Sequence, residues 1–267
     1  MEGIARLVSM IDGIWSRHMS KTKFLQGKIA FVQGGSRGIG AAIVRRLAAE
    51  GAAVGFSYAS SVEKAEALAD EVRAAGGRAY AIRADSADEA AVRQALRDGV
   101  ERFGGLDILV NNAGVLPWGS IEALPLEAFD RAMAINVRSV FVASQEAARH
   151  IGDGGRIINI GSVNADRIPV AGGAVYAMSK AALVGLTKGM ARDLGPRHIT
   201  VNNVQPGPVD TDMNPADGES AARLRALMAL DRYGRADEIA GLVAYLAGPE
   251  AGYVTGASLN IDGGFSA

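Results

Sequence analysis

Two hydrophobic periods alternate along most of this 267-residue chain. Short, nearly continuous apolar runs recur seven times, which is typical of strands buried on both faces of a parallel sheet. These runs span residues 28–33, 52–57, 78–82, 106–110, 155–161, 199–204 and 257–261. Between them, apolar residues recur at the three- and four-residue spacing of amphipathic helices. The helical segments span residues 38–50, 61–75, 87–103, 125–150, 174–194 and 236–247. The alternation predicts βαβ units, and therefore one α/β domain with a doubly wound parallel sheet of about seven strands and helices on both faces.

The first 27 residues follow a different pattern. Apolar residues recur there at helical spacing, from Ile4 to Trp15, which is compatible with an amphipathic helix. Asp12 interrupts the apolar part, and no small-residue cleavage site follows, so the pattern is not that of a signal peptide. We expect an extension over residues 1–27, partly helical or disordered, ahead of a domain over residues 28–267. A docking helix is the alternative for this extension.

Composition excludes several classes of function. Because the chain has no cysteine, it has no disulfide, no thiolate metal site and no cysteine nucleophile. The three histidines are scattered, so we expect no metal site. A net charge of −1 without a basic run argues against binding to nucleic acid polymers or membranes by charge. No apolar stretch approaches the roughly 20 residues that cross a bilayer, and we expect a cytoplasmic protein.

A glycine-rich segment follows the first predicted strand. Its spacing, Gly34-x-x-x-Gly38-x-Gly40, lies between an apolar run and an amphipathic helix. Glycine permits the tight turn and the close approach of a pyrophosphate, and the free amides of the helix N-terminus bind the anion. The segment predicts a loop that holds dinucleotide phosphates. A glycine-rich turn without a ligand is the alternative.

Tyr176 and Lys180 lie four residues apart in a predicted helix, which places them on one face. A free tyrosine, with a pKa of about 10, is a poor acid or base near neutral pH. A cation about 4 Å away would favour the phenolate by roughly 4 kcal/mol, which lowers the pKa by about 3. The spacing therefore predicts an acid/base tyrosine activated by lysine. Taken alone, a solvated helical pair is the alternative.

In order and spacing, these motifs resemble those of the classical short-chain dehydrogenase/reductase family, from about Gly27 to the C-terminus. The resemblance also rests on Asn111-Asn112-Ala113-Gly114, on Asn136 in Ile-Asn-Val, on Ser162 after an apolar run, and on Pro206-Gly207-Pro208-Val209-Asp210-Thr211. Within the family, the chain looks like members labelled 3-oxoacyl-(acyl-carrier-protein) reductases. The resemblance implies a Rossmann-like fold, hydride transfer between a nicotinamide cofactor and a carbonyl or alcohol, and a homotetramer that pairs the helices near 125–150 and 174–194.

The same resemblance implies roles for the site residues. Tyr176 would exchange the proton, while Ser162 would polarise the carbonyl oxygen. Lys180 would lower the pKa of Tyr176 and hold the nicotinamide ribose, and Asn136 would hold a water that links the lysine to solvent. The implied cofactor contacts are Gly34, Ser36, Arg37, Gly38, Ile39, Gly40, Tyr58, Ala59, Ser60, Ser61, Asp85, Ser86, Asn112, Ala113, Gly114, Tyr176, Lys180, Pro206, Gly207, Val209 and Thr211.

The end of the second strand indicates which nicotinamide cofactor is used. NAD-selective dinucleotide folds place an acidic residue there to hold the ribose 2′-hydroxyl. In this chain no acid precedes Glu63, whereas Arg37, Ser60 and Ser61 are suited to a 2′-phosphate. We therefore expect NADP(H). The alternative for Arg37 is a solvated loop residue.

Two positions depart from the family pattern. Gln33 stands where the family usually has threonine, whose hydroxyl braces the glycine loop, and the longer reach of Gln33 can alter the geometry of the loop. The interval from Ser162 to Tyr176 is about one residue longer than usual, an insertion that a loop tolerates cheaply. We expect it to reshape the substrate entrance without moving the catalytic groups.

The segment after Thr211 bears on the substrate. Residues 212–218 are rich in turn formers, and a short amphipathic helix follows, with Leu224, Leu227 and Met228 apolar. This segment predicts a lid, or else an ordinary surface loop. The substrate is a small-molecule carbonyl or alcohol, or an acyl thioester. An acyl-carrier partner would need the basic side chains of Arg223, Arg225 and Arg232.

A second hypothesis comes from another class of function. Residues 161–164, 166–167 and 205–208 also resemble a biofilm-dispersal member of the family that is described as binding cyclic di-GMP. A nucleotide-binding regulator with little turnover is therefore the alternative, with arginines near the pocket serving the phosphates. The retained set of catalytic residues favours the enzyme. A cofactor-binding scaffold with vestigial activity is a third possibility.

Overall fold

The computed structural model describes residues 23–267 and shows a seven-stranded sheet in which every strand pair is parallel. Its strands are β1 (Ile29–Gln33), β2 (Ala53–Tyr58), β3 (Arg78–Arg83), β4 (Leu106–Asn111), β5 (Ile151–Ile160), β6 (Thr200–Pro206) and β7 (Ser258–Ile261). The helices are α1 (Gly38–Ala49), α2 (Val62–Ala74), α3 (Glu89–Phe103), α4 (Leu126–Met133), α5 (Ser139–His150), α6 (Ala174–Leu194), α7 (Ala221–Arg225) and α8 (Ala236–Ala247). The predicted fold class, a single Rossmann-like doubly wound sheet, is confirmed.

The order of the strands in the sheet indicates where the ligand-binding crevice lies. The order is β3-β2-β1-β4-β5-β6-β7, so the chain reverses its direction of winding between β1 and β4. In open parallel sheets, the crevice at this reversal, beyond the carboxyl ends of the strands, is where ligands bind. The glycine-rich loop leaves β1 at this point, and Asn112 follows β4 directly beside it.

The core has one layer on each face of the sheet, which explains the continuous apolar runs. On one face, Val32 of β1 packs in a buried cluster with Val44 of α1 and Val243 of α8. On the other face, Phe31 packs in a cluster with residues of α3 and α5, including Leu96. Successive side chains of a strand point to opposite faces, so both need to be apolar when helices cover both.

A polar row crosses the carboxyl ends of four central strands. Gln33, Asn111, Asn159 and Asn203 lie in register on β1, β4, β5 and β6, and all are buried. Asn111 Nδ2 donates to Asn159 Oδ1 at 2.8 Å, and Asn159 Nδ2 donates to Thr187 Oγ1 of α6 at 2.9 Å. Because buried polar groups specify one geometry when they are paired, the bond from Asn159 to Thr187 helps to fix α6 relative to the sheet.

Two elements differ from the sequence-based prediction. Strand β5 begins at Ile151, earlier than the predicted residue 155, because Ile151 pairs with Leu106 across a register shift in β4. Residues 152–154 are exposed and do not form an apolar run, so the sequence pattern did not predict this part of the strand. The predicted helix 125–150 is interrupted by a π-helical turn at Ala134–Arg138, which contains Asn136. Such wide turns occur frequently at functional sites.

The N-terminal prediction falls largely outside the described residues. The expected amphipathic helix, from Ile4 to Trp15, lies within residues 1–22. In the described part, Leu25 is buried, and its N–H donates to the carbonyl oxygen of Glu50 at 3.0 Å. The division at residue 27 stays a prediction. Across residues 23–267, no helix has the length and apolarity needed to span a bilayer.

Candidate active site

A cavity of about 440 Å³ lies along the carboxyl ends of the strands, where the strand order reverses. Every residue predicted to contact a cofactor, from Gly34 to Thr211, lines this cavity. Ser162, Tyr176 and Lys180 line it as well, whereas Asn136 is buried behind the wall. Segments that are far apart in sequence therefore meet at one site.

The glycine-rich loop is folded tightly against α1. Gly34 has a φ of +71°, and its N–H donates to Ser57 Oγ at 3.1 Å. Asn112 Nδ2 donates to the carbonyl oxygen of Gly34 at 2.8 Å, which joins the loop to the segment after β4. A Cβ on Gly40 would lie 2.2 Å from the oxygen of Gly34, so only glycine fits there.

This loop suits the phosphates of a dinucleotide. The residue before α1, Arg37, makes no side-chain cap, and no acidic residue lies in the first turn of the helix. The first amides of α1 are thus left for an anion, which the helix dipole also favours. Glycine at 34 and 40 keeps the loop close to the helix, as a bound pyrophosphate requires.

Gln33 does not brace the loop in the way expected of its position. Its side chain is buried, and neither its oxygen nor its nitrogen has a hydrogen-bond partner among residues 23–267. Ser57 and Asn112 hold the loop instead. The contacts that hold the loop therefore come from β2 and from the segment after β4, and not from residue 33.

The far end of the cavity carries the side chains predicted for a 2′-phosphate. Arg37, Ser60 and Ser61 line it together, and Asp85 and Ser86 lie nearby on the segment after β3. Within the described part of the chain, Arg37 has no carboxylate within 4.0 Å. Its guanidinium is therefore available for an anionic ligand.

Ser162 and Tyr176 face the other end of the cavity. Ser162 follows β5, and its Oγ accepts a hydrogen bond from the N–H of Asn164 at 3.1 Å, which orients the hydroxyl. The pKa of Tyr176 is raised above its ordinary value because burial disfavours the phenolate, and the neighbouring Ser162 hydroxyl offsets part of this shift. Tyr176 is therefore protonated at neutral pH.

Lys180 does not lower the pKa of Tyr176 here, contrary to the sequence-based expectation. Its Nζ donates to the carbonyl oxygen of Ile160 at 2.9 Å and lies 5.8 Å from the centre of the Tyr176 ring. Burial lowers the pKa of Lys180 to about 8. Desolvation of the phenol is the largest effect on the pKa of Tyr176, and the Lys180 ammonium does not offset it.

Asn136 clamps two parts of the site. Its Oδ1 accepts from the N–H of Val115, and its Nδ2 donates to Val115 O and to Ser179 Oγ, each at 2.9 Å. Ser179 Oγ in turn donates to the carbonyl oxygen of Tyr176 at 2.7 Å. Both amide hydrogens are thus used by protein atoms, so the side chain positions α6, and a water relay at this residue stays a prediction.

The sequence-based reasoning missed an apolar wall beside Tyr176. Leu116, Trp118, Pro169, Val170, Met213, Leu224 and Phe265 line the cavity there, together with Arg131. Trp118 is 46% exposed and packs on the backbone before α6, since a Cβ on Gly172 would lie 2.5 Å from its Nε1. A tryptophan in the loop after Asn112-Ala113-Gly114 was the available signal, because so large an apolar side chain usually packs against a surface.

The segment after Thr211 packs against residues around the site. Ala221 of α7 and Met228 pack in a buried cluster with Val163, Tyr233 and Phe265. The carbonyl oxygen of Phe265 also accepts a hydrogen bond from Arg167. The Arg167 side chain is thus engaged within the protein, and the role of the segment as a lid stays a prediction.

The fold and this cavity define a Rossmann-like α/β protein with a Ser-Tyr-Lys group at the ligand crevice. The family model described as enoyl-(acyl carrier protein) reductase matches residues 34–266. The chain belongs to the short-chain dehydrogenase/reductase family, as the sequence motifs predicted.

Solved structures and a curated relative agree with this membership. A short-chain dehydrogenase/reductase from Serratia marcescens is 72% identical, with a TM-score of 0.91 over 91% of this chain and 100% of that one. A short-chain dehydrogenase from Burkholderia cenocepacia, in complex with NADP, is 57% identical, with a TM-score of 0.90 over 91% and 100%. The cyclic-di-GMP-binding biofilm dispersal mediator protein of Escherichia coli is 53% identical over 241 residues, which cover 90% of this chain and 98% of the relative.

Proposed function

We propose that this protein is an NADP(H)-dependent oxidoreductase that interconverts a ketone, or a 3-oxoacyl group, and a secondary alcohol, with Tyr176 as the acid/base. The observation that carries it is the single cavity that joins the glycine-rich loop to Ser162, Tyr176 and Lys180. A binder of nucleotides would need the loop but would have no use for a serine, tyrosine and lysine at its other end.

The choice of NADP(H) rests on charge. Arg37 is a cation without a carboxylate partner in the described structure, and Ser60 and Ser61 lie beside it in the cavity. Strand β2 ends in Ser57 and Tyr58, so no acid holds a ribose 2′-hydroxyl. The 57% identical Burkholderia structure, solved in complex with NADP, supports the same choice.

The chain's own side chains supply the proton chemistry, while the bound nicotinamide supplies or accepts the hydride. With its pKa raised, Tyr176 is neutral and donates a proton to an oxyanion as it develops. The Ser162 hydroxyl, oriented by Asn164, donates a hydrogen bond to the same oxygen. Lys180, with a pKa of about 8, is suited to pass a proton near neutral pH. In the oxidative direction, Tyr176 takes the proton back.

The walls favour a small apolar carbonyl compound over an acyl-carrier protein. Trp118, Leu116 and Met213 give the catalytic end of the cavity an apolar lining. Arg225 donates to the carbonyl oxygen of Ala216, and Arg232 is paired with Glu238 at 2.8 Å. Two of the three arginines expected to meet an acyl carrier are therefore engaged within the protein. The 3-oxoacyl substrate stays a prediction, as does the cytoplasmic location.

Binding of cyclic di-GMP is the second candidate function. It is favoured by the 53% identity with the Escherichia coli dispersal protein, and by Arg131, which lines the cavity without an ion pair in the described part of the chain. The contact of Arg167 with the carbonyl oxygen of Phe265 weighs against it, because this removes one arginine from phosphate binding. Titration with cyclic di-GMP, in the presence and absence of NADPH, separates the two functions.

The test is oxidation of NADPH and NADH against a panel of ketones, β-ketoacyl thioesters, diketones and quinones. We expect turnover with NADPH, and loss of at least about 100-fold in kcat for Tyr176→Phe, because one hydroxyl carries the proton transfer. NADPH affinity should stay the same. Tyr253→Phe is the matched control, since this tyrosine is fully exposed.

Two outcomes would contradict the proposal. Near-normal turnover by Tyr176→Phe would remove Tyr176 from the chemistry. NADPH binding without turnover of any panel member, together with tight binding of cyclic di-GMP, would establish the regulator in place of the enzyme.

A further inference from the structure

An exposed ion pair lies at the edge of the cavity: its aspartate lines the cavity, and its lysine lies just outside the lining. Lys64 Nζ, on the first turn of α2, lies 2.9 Å from Asp212 Oδ2. Asp212 lines the cavity together with Arg37 and Ser61. The two side chains are 59% and 56% exposed, so both are free to exchange partners.

Asp212 is held at this entrance by its neighbours. Thr211 packs over the glycine-rich loop, since a Cβ on Gly38 would lie 3.4 Å from Thr211 Cγ2. The N–H of Thr211 bonds to Asn214 and the N–H of Asn214 bonds back, which forms a tight turn around Asp212. The Asp212 carboxylate is attracted first by Lys64 and also by Arg37, and its pKa is lowered accordingly. The carboxylate is therefore paired with Lys64 and also lies within the electrostatic influence of Arg37.

We propose that Lys64 and Arg37 together form the site for the ribose 2′-phosphate, and that Asp212 is a competing anion that the phosphate displaces. This rests on the proposed NADP(H) preference. Neither Lys64 nor Asp212 belongs to the predicted set of cofactor residues. An exposed lysine–aspartate pair contributes little to stability, whereas a phosphate has more charge and three acceptor oxygens. The exchange of Asp212 for a phosphate therefore favours the phosphate.

Binding of 2′,5′-ADP and of 5′-AMP, measured by isothermal titration calorimetry at low salt, tests this assignment without turnover. We expect Asp212→Asn to bind 2′,5′-ADP about threefold tighter, because the competing carboxylate is gone, and 5′-AMP unchanged. Lys64→Met should bind 2′,5′-ADP about threefold to fivefold more weakly, again with 5′-AMP unchanged. Both effects should shrink in high salt because the charges are exposed.

Glu71→Gln is the matched control. Glu71 also lies on α2 and forms an exposed pair, with Arg45 Nε at 2.8 Å, and neither residue lines the cavity. Its removal changes the net charge by the same amount as Asp212→Asn. We expect the affinities of this variant for both probes to match those of the unmodified protein.

Each remaining outcome is informative. Unchanged or weaker binding of 2′,5′-ADP by Asp212→Asn would overturn the role of the aspartate, and unchanged binding by Lys64→Met would overturn that of the lysine. An equal change for 5′-AMP would show a general charge effect and would overturn both. If the unmodified protein shows no preference for 2′,5′-ADP over 5′-AMP, the proposed cofactor preference itself is wrong.

Discussion

Lys180 combines a buried position with an ionisable side chain. It is 4% exposed, and its ammonium donates to the carbonyl oxygen of Ile160. Its pKa of about 8 lies well below the ordinary lysine value, because burial penalises the charged form. A buried cation of this kind costs folding free energy at neutral pH. This loss of folding free energy arises at the residue that is proposed to be the catalytic lysine.

Lys180→Met should therefore stabilise the cofactor-free protein at pH 7, by about 2 kcal/mol after allowance for the lost hydrogen bond to Ile160. The pKa of Lys180 in the folded protein, about 8, lies below its pKa in the unfolded chain. Between these two pKa values, the unfolded chain therefore binds more protons than the folded protein. Stability of the unmodified protein thus rises with pH across this window, and the advantage of the variant should nearly vanish at pH 9.5. Urea denaturation at both pH values measures the difference.

Lys188→Met on the same helix is the control for this experiment, because Lys188 is exposed. We expect its stability to follow that of the unmodified protein at both pH values. An advantage of Lys180→Met that is equal at pH 7 and pH 9.5 would mean that the gain comes from packing and that the lysine is not a buried cation.

At the scale of the element, the junction between β1 and α1 is the most constrained part of the site. Gly40 lies in the first turn of α1, and the loop folds back so closely that a Cβ there would also lie 2.5 Å from Asn112 Nδ2. The Asn112 side chain holds Gly34 from the next strand along the sheet. Strand, loop and helix therefore form one tightly packed unit.

Gly40→Ala should break this unit. The added methyl group meets a backbone oxygen that cannot move away, so we expect a loss of about 1–3 kcal/mol in the free energy of unfolding and a clear loss of NADPH affinity. Chemical denaturation and fluorescence titration measure the two effects. Gly195→Ala is the control: its φ of −54° suits alanine, and nothing lies within 4 Å of the added Cβ. A variant at Gly40 with unaltered NADPH affinity would show that the loop does not hold the cofactor.

At the scale of the whole molecule, two exposed apolar side chains lie on helices that are predicted to pair between subunits. Phe141 of α5 is 48% exposed and Met178 of α6 is 45% exposed. Single exposed apolar residues are common on protein surfaces, so neither establishes an interface by itself. The pairing of these helices in a homotetramer, which the family resemblance implies, stays a prediction.

Phe141→Glu should lower the mass of the assembly in solution. A buried interface disfavours an unpaired charge, so the tetramer is expected to dissociate to a smaller species. Light scattering at several protein concentrations measures the mass. Val62→Glu is the control, since Val62 is 41% exposed on α2, outside the helices predicted to pair. A monomeric unmodified protein would contradict the tetramer outright.

The sequence by itself determined the sheet and the membership of the site. Strands covered on both faces must be apolar throughout, so β1, β4 and the other central strands appeared directly as apolar runs. Residues at the carboxyl ends of parallel strands lie along one edge of the sheet, so the glycine-rich loop and Ser162 were predicted to lie at one crevice. The resemblance to a known family added Tyr176 of α6 to the predicted site. Local spacing was enough to predict the strands and helices because their geometry is local.

Only the tertiary structure determined the pKa shifts of the site residues and the contacts of the side chains around the cavity. The i, i+4 spacing predicted that Lys180 lies near Tyr176, but burial, which depends on the whole fold, reversed the expected shift in the pKa of Tyr176. Trp118 lies on the backbone of Gly172, and Lys64 reaches Asp212, through contacts between segments that are distant in sequence. The periodicity of apolar residues along the sequence does not predict such contacts, because they arise only when separate elements pack together.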